Sequence, residues 1–142
     1  MESRLVFPPR ASVLRQLRDR VRKIAAGLGA EPRIGDNLAL VVDEIVNNAV
    51  EHGVAYRQQG LDLAIQIRQA GERLTIEFFD PEMPSSLVRD LATALAAVRS
   101  GVPSLESERG RGLFLLSVYL DDLRAEPARS GGLRLVGFVP RR

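Results

Sequence analysis

The chain has 142 residues, with 20 lysines and arginines against 18 acids, a single histidine, no cysteine and 45% hydrophobic residues. That length predicts one domain, residues 1–142, with chain enough for a real core, and the lack of cysteine excludes disulfides and thiolate metal sites. A net charge of +2 with 5% aromatic residues provides no basic stripe interleaved with stacking rings, so direct nucleic-acid binding is not expected; nor is a membrane span or a signal peptide, which predicts a cytoplasmic protein.

Arg4-Leu5-Val6-Phe7, ahead of Pro8-Pro9, predicts a short strand at a sheet edge. Residues 11–28 follow with Leu14, Leu17, Val21, Ile24 and Leu28 at helical spacing and Gly29 as the stop. The outer face of that helix carries Arg15, Arg18, Arg20, Arg22 and Lys23, which suits a solvated face or an acidic partner.

Glu31-Pro32 opens a second helix that runs to Gly53. At about 100° per residue, Leu38, Val42, Ile45 and Ala49 fall on one side, and Asn37, Glu44, Asn48 and Glu51 on the other. Glu44 and Asn48 stand one turn apart and can meet the same ligand. A carboxylate beside a carboxamide suits phosphate chemistry, because the first accepts a proton from a nucleophile and the second holds hydrated Mg²⁺ without adding full charge. Taken alone, most such pairs at this spacing belong to a solvated helix face.

A linker leads to Gly60. Leu61, Leu63, Ile65 and Ile67 then alternate with polar or small residues, a turn falls at Ala70-Gly71-Glu72, and Leu74, Ile76 and Phe78 resume the alternation into Asp80, which predicts a β-hairpin. Pro81 and Pro84 mark a corner. A helical pattern runs from Ser86 through Leu87, Leu91, Leu95 and Val98 to Gly101, and residues 101–109 read as a loop. Gly110-Arg111-Gly112 opens an apolar helix through Leu113, Leu116 and Leu120, and the strands Arg124 to Glu126 and Leu133 to Val139 flank a turn at Ser130-Gly131-Gly132. One-sided helices and adjacent hairpins predict an α+β, two-layer sandwich with a mixed, mainly antiparallel sheet and helices on one face. Glycines and arginines at a helix start make Arg109-Gly110-Arg111-Gly112 a phosphate-binding type of element, although the Walker Lys-Ser/Thr is missing.

In order and spacing these elements resemble the GHKL ATP-binding superfamily, which includes gyrase and the histidine kinases. Glu44-Ile-Val-Asn-Asn48-Ala49 with His52-Gly53 is similar to its N box, Asp80 after an apolar strand to its first glycine box, and Glu108 to Leu116 to its second. The short length and the N-terminal strand and helix are most similar to the bacterial anti-sigma-factor serine kinases. The resemblance implies ATP and Mg²⁺ as cofactors and phosphorylation of a serine on a small antagonist protein. It also implies a sigma factor or similar regulatory target, and a homodimer. Glu44 would be the general base. Asn48 would ligate Mg²⁺, Asp80 would accept from the adenine amino group, and Arg109, Gly110, Arg111, Gly112 and Leu113 would wrap the phosphates, with His52 in the N box and residues 85–108 as a lid over ATP.

Glu82 stands where the family pattern has glycine. A carboxylate there predicts weaker ATP binding through crowding and repulsion, a rearranged loop, or a partner-facing surface with Met83. Restoring glycine is expected to tighten ATP binding by about 1 kcal/mol. The alternative to a kinase is a non-catalytic partner-switch module of the same fold with weak or lost ATP turnover. The catalytic half of a sensor histidine kinase is disfavoured, since no phosphoacceptor helix pair precedes the domain.

Overall fold

The computed structural model describes residues 2–100 and 108–142, with side chains for residues 3–100 and 112–142. Five strands, β1 (Glu2–Phe7), β2 (Leu63–Ala70), β3 (Arg73–Asp80), β4 (Asp121–Pro127) and β5 (Leu133–Pro140), form one sheet in the order β1-β2-β3-β5-β4. Every neighbouring pair is antiparallel, so the expected mixed sheet is wholly antiparallel. The fold is the predicted α+β sandwich.

The alternation of the strands decides what each face meets. Leu63, Ile65 and Ile67 of β2 and Leu74, Ile76 and Phe78 of β3 point to the buried side, with Ile65 opposite Phe78 and Ile67 opposite Ile76. The same parity sends Asp80, at the end of β3, to the buried side as well, where it has 0% exposure. The opposite face is polar and covers itself. Arg68 and Arg134 both pair with Glu77, Arg134 also reaches Glu126, and Arg4 lies 5.1 Å from the Phe79 ring centroid. Arginine stems thus lie over the sheet while their charges find partners.

Helices α1 (Leu14–Gly27), α2 (Pro32–Gly53), α3 (Ser85–Arg99) and α4 (Glu108–Tyr119) supply the other layer of the core. A 3-10 turn, Ala11–Val13, precedes α1, so the predicted first helix starts tighter than an α-helix. Leu17, Val21 and Ala25 of α1 pack with Leu38, Val42 and Ile45 of α2 in the core. The basic face of α1 is partly spent internally. Arg18 donates to Asp43 at 2.9 Å and Arg22 to Asp36 at 3.1 Å, both on α2, whereas Arg15, Arg20 and Lys23 are exposed. On α3, Val88, Leu91 and Leu95 are buried and Arg99 donates to the Leu123 carbonyl of β4. α3 is therefore a packed helix; of the predicted lid, only residues 101–107 lie outside the described residues.

Candidate functional site

On the exposed flank of α2, Asn48 Nδ2 donates to Glu44 Oε1 at 3.3 Å, as one-turn spacing allows. Among the described residues no hydrogen bond reaches the amide oxygen of Asn48. α4 crosses directly above this pair at Gly112. A Cβ on Gly112 would overlap Glu44 Oε1 and stand 3.4 Å from Asn48 Nδ2, so any larger residue there would displace the Glu44 carboxylate. Glu44, Asn48 and Gly112, up to 68 residues apart in the sequence, thus share one place. Gly110 and Arg111 fall in the first turn of α4, where backbone N–H groups lack intrahelical acceptors, rather than in a loop before it. The side chains of Arg109 and Arg111 lie outside the described residues.

Asn48, His52 and Leu113 line a pocket of about 60 Å³ with Tyr56, Phe78 and Met83. Ligand sites usually offer about 300–1,000 Å³. A nucleotide base therefore enters only if side chains move, and its wall would be mostly apolar.

Asp80 lies behind that wall. Its Oδ1 accepts from Arg57 Nη1 at 3.0 Å and from the Glu82 backbone N–H at 3.1 Å; its Oδ2 accepts from Arg57 Nη2 at 2.9 Å and from the Tyr56 hydroxyl at 2.5 Å. Arg57 is anchored further by the Ala49 carbonyl at 3.1 Å and by Glu82 Oε2 at 3.4 Å. Burial lowers the guanidinium's proton affinity, but Asp80 outweighs it and holds Arg57 above its ordinary value. Burial first, and then the bond to Asp80, push the Tyr56 phenol up. Both groups keep their protons throughout the physiological range.

Tyr56 and Arg57 were invisible to sequence reasoning, which placed them in a linker. Gly53 has a different part from the one expected. Its backbone is helical rather than left-handed, and a Cβ there would stand 2.5 Å from Arg57 Nη2. What glycine supplies at this position is room for Arg57 to fold back onto Asp80.

Glu82 does not face the pair Glu44 and Asn48. Its Oε1 accepts from the backbone N–H groups of Gln58 at 3.0 Å and Gln59 at 2.8 Å, and its Oε2 from that of Leu61 at 3.0 Å. The carboxylate caps the loop between α2 and β2, as an acid caps a helix start. Of the three sequence expectations for Glu82, the rearranged loop is the one this geometry matches. Glycine at position 82 would remove the loop's anchor, so Glu82→Gly is expected to loosen this loop rather than to tighten ATP binding. The Gln59 N–H, followed by those of Gln58 and Leu61 and the charge of Arg57, holds the Glu82 carboxyl below the usual carboxylate range, against a smaller opposing effect of burial. A depressed folded-state pKa gives stability that is complete above the ordinary glutamate value and is lost as pH falls through the folded one. Hydrogen exchange should therefore show the Gln58, Gln59 and Leu61 amides losing protection on acidification, a transition absent from Glu82→Gln. Protection that is identical in the two proteins at neutral pH would remove Glu82 as the anchor.

The residues present fit a nucleotide with its metal at the phosphate end. Gly112 brings the start of α4 against Glu44 and Asn48, the first-turn N–H groups of α4 lack intrahelical acceptors, and Asn48 carries a neutral oxygen. Among the described residues no cluster of three or more His, Asp or Glu side chains could hold a metal unaided. Mg²⁺ held by one protein oxygen and substrate phosphates needs no such cluster. No described helix is long and apolar enough to cross a membrane.

A family model described as the histidine kinase-like ATPase domain matches residues 7–136. No curated protein matches the chain by sequence. Among solved structures, a chain of the crystal structure of the SiaB–SiaC complex from Pseudomonas aeruginosa is similar, with a TM-score of 0.72 and 15% identity over 95% of this chain and 88% of that one. At that identity the likeness concerns the fold.

Proposed function

Since the chain belongs to the histidine kinase-like ATPase domain family, we propose that it is an ATP-dependent protein-serine kinase acting as a partner-switching regulator. The observation that carries this reading is the meeting of Glu44, Asn48 and Gly112 beneath the start of α4. Glu44 receives the proton of a serine hydroxyl from the partner protein. Asn48 would hold Mg²⁺ through its amide oxygen, and Gly110, Arg111 and Gly112 in the first turn of α4 would bind the phosphates. Bound Mg–ATP supplies the phosphoryl group and the charge neutralisation that its transfer requires. The protein's share is positioning and proton removal.

The partner is proposed to be a small antagonist protein bearing the serine, with a sigma factor or similar regulator as the second target. The similar fold in a two-protein complex supports partner binding as such. A homodimer and a cytoplasmic location belong to the same proposal. Calorimetric titration tests its binding step: Mg–ATP should bind the wild type, and Asn48→Ala should weaken that binding at least about tenfold, the scale of one lost ligand to a charged group. Equal affinity in both proteins would remove Asn48 from the site.

One observation favours a second reading, the non-catalytic partner-switch module. Both Asp80 oxygens are already taken and the pocket is about 60 Å³. On this reading ATP turnover is weak or lost, and the partner binds normally without being phosphorylated.

A further inference from the structure

A carboxylate has about four lone-pair positions for hydrogen bonds. At Asp80 four donors take them, two from Arg57, one from the Glu82 backbone and one from Tyr56. No free acceptor remains for a ligand. The four donors are not equally fixed, however. Arg57 Nη1 is held a second time by Glu82 and Nη2 by the Ala49 carbonyl, and the Glu82 N–H belongs to the main chain of the corner. The Tyr56 hydroxyl makes no second hydrogen bond among the described residues, and Tyr56 alone of these donors lines the pocket. Its ring is otherwise steadied by the Arg57 guanidinium, 5.2 Å from the centroid, a contact that is weak beside a hydrogen bond to a charge.

From this inequality we infer that Tyr56 is an intramolecular competitor for the ligand's donor group at Asp80 and gates the pocket. The inference rests on the nucleotide-binding reading above. Entry proceeds by exchange: the Tyr56 O–H leaves Asp80 Oδ2, and an amino N–H of the base replaces it. Asp80 stays fully bonded before and after, so a base with an amino group at that position is admitted at little cost. A base with an oxygen there sets an acceptor against a carboxylate and cannot displace the tyrosine. Swinging Tyr56 away also enlarges a pocket that is too narrow as it stands. Arg57 remains on Asp80 throughout.

Tyr56→Phe keeps the ring and vacates the lone pair. ATP should then bind about tenfold more tightly than to the wild type, the effect of removing one competing bond to a charged acceptor. Inosine triphosphate, which has an oxygen in place of the amino group, should gain nothing. Melting curves report whether the variant is folded. An independent readout uses the native residue: the chain has two tyrosines and no tryptophan, so Tyr119→Phe leaves Tyr56 as the single reporter. Tyrosine emission is quenched by a hydrogen bond to a carboxylate, and saturating Mg–ATP should therefore raise it. Equal or weaker ATP binding by Tyr56→Phe, or unchanged Tyr56 emission with ATP bound, overturns the gate and leaves the kinase reading standing. ATP binding by neither wild type nor Tyr56→Phe overturns both.

Discussion

Arg57→Ala is expected to cost about 3–5 kcal/mol of folding stability, the range for removing one partner of a buried ion pair. The cause is what remains behind. Asp80 has 0% exposure and loses two of its four hydrogen bonds, so a buried carboxyl group is left behind an apolar pocket wall with only the Tyr56 hydroxyl and one backbone N–H. The pair itself need not stabilise the fold against an apolar substitute, because desolvating two charges offsets much of their attraction. That distinction is measurable. Asp80→Asn should cost less than Arg57→Ala, and the double variant less than the sum of the two singles, as residues in one network couple. Urea unfolding of the four proteins gives the cycle. A loss within about 0.5 kcal/mol for Arg57→Ala, typical of a surface position, would mean that Asp80 is not held as described.

Glu44→Gln is expected to lower the rate of phosphoryl transfer by about 10²–10⁴-fold, the usual contribution of a general base. Glutamine preserves the shape of the side chain and still offers Asn48 Nδ2 an oxygen, so the 3.3 Å contact survives and only proton acceptance is lost. Nucleotide affinity should accordingly change little, the signature of an interaction used in the transition state rather than in binding. Rapid-quench measurement of transfer, beside a nucleotide titration, separates the two quantities. A rate that matches the wild type would assign the base elsewhere.

Period and spacing explain which of these features were legible beforehand. Leu63, Ile65 and Ile67 opposite Phe78, Ile76 and Leu74 declared the central hairpin, because one buried face enforces a period of two. Glu44 and Asn48 declared themselves by a single helical turn, and Gly112 by the glycine-rich start of α4. Arg57 carried no such mark. Its partner Asp80 lies 23 residues on, in a different element, and a linker has no periodicity from which its folding back could be inferred. The available signal was indirect: strand parity sent Asp80 inward, and a buried carboxylate requires a cation. Glu82 was only partly legible for a related reason. Comparison with a family pattern says which residue is missing, but not that the replacement would reach three backbone N–H groups of a neighbouring loop.

Kinase activity is tested most directly by following label from γ-³²P-ATP into protein when the purified chain and Mg²⁺ are added to an extract of its own cells. The expected result is phosphoserine on a small protein, formed with the wild type and lost with Glu44→Gln. No phosphoserine above the extract alone at saturating ATP would contradict a kinase and favour the non-catalytic module.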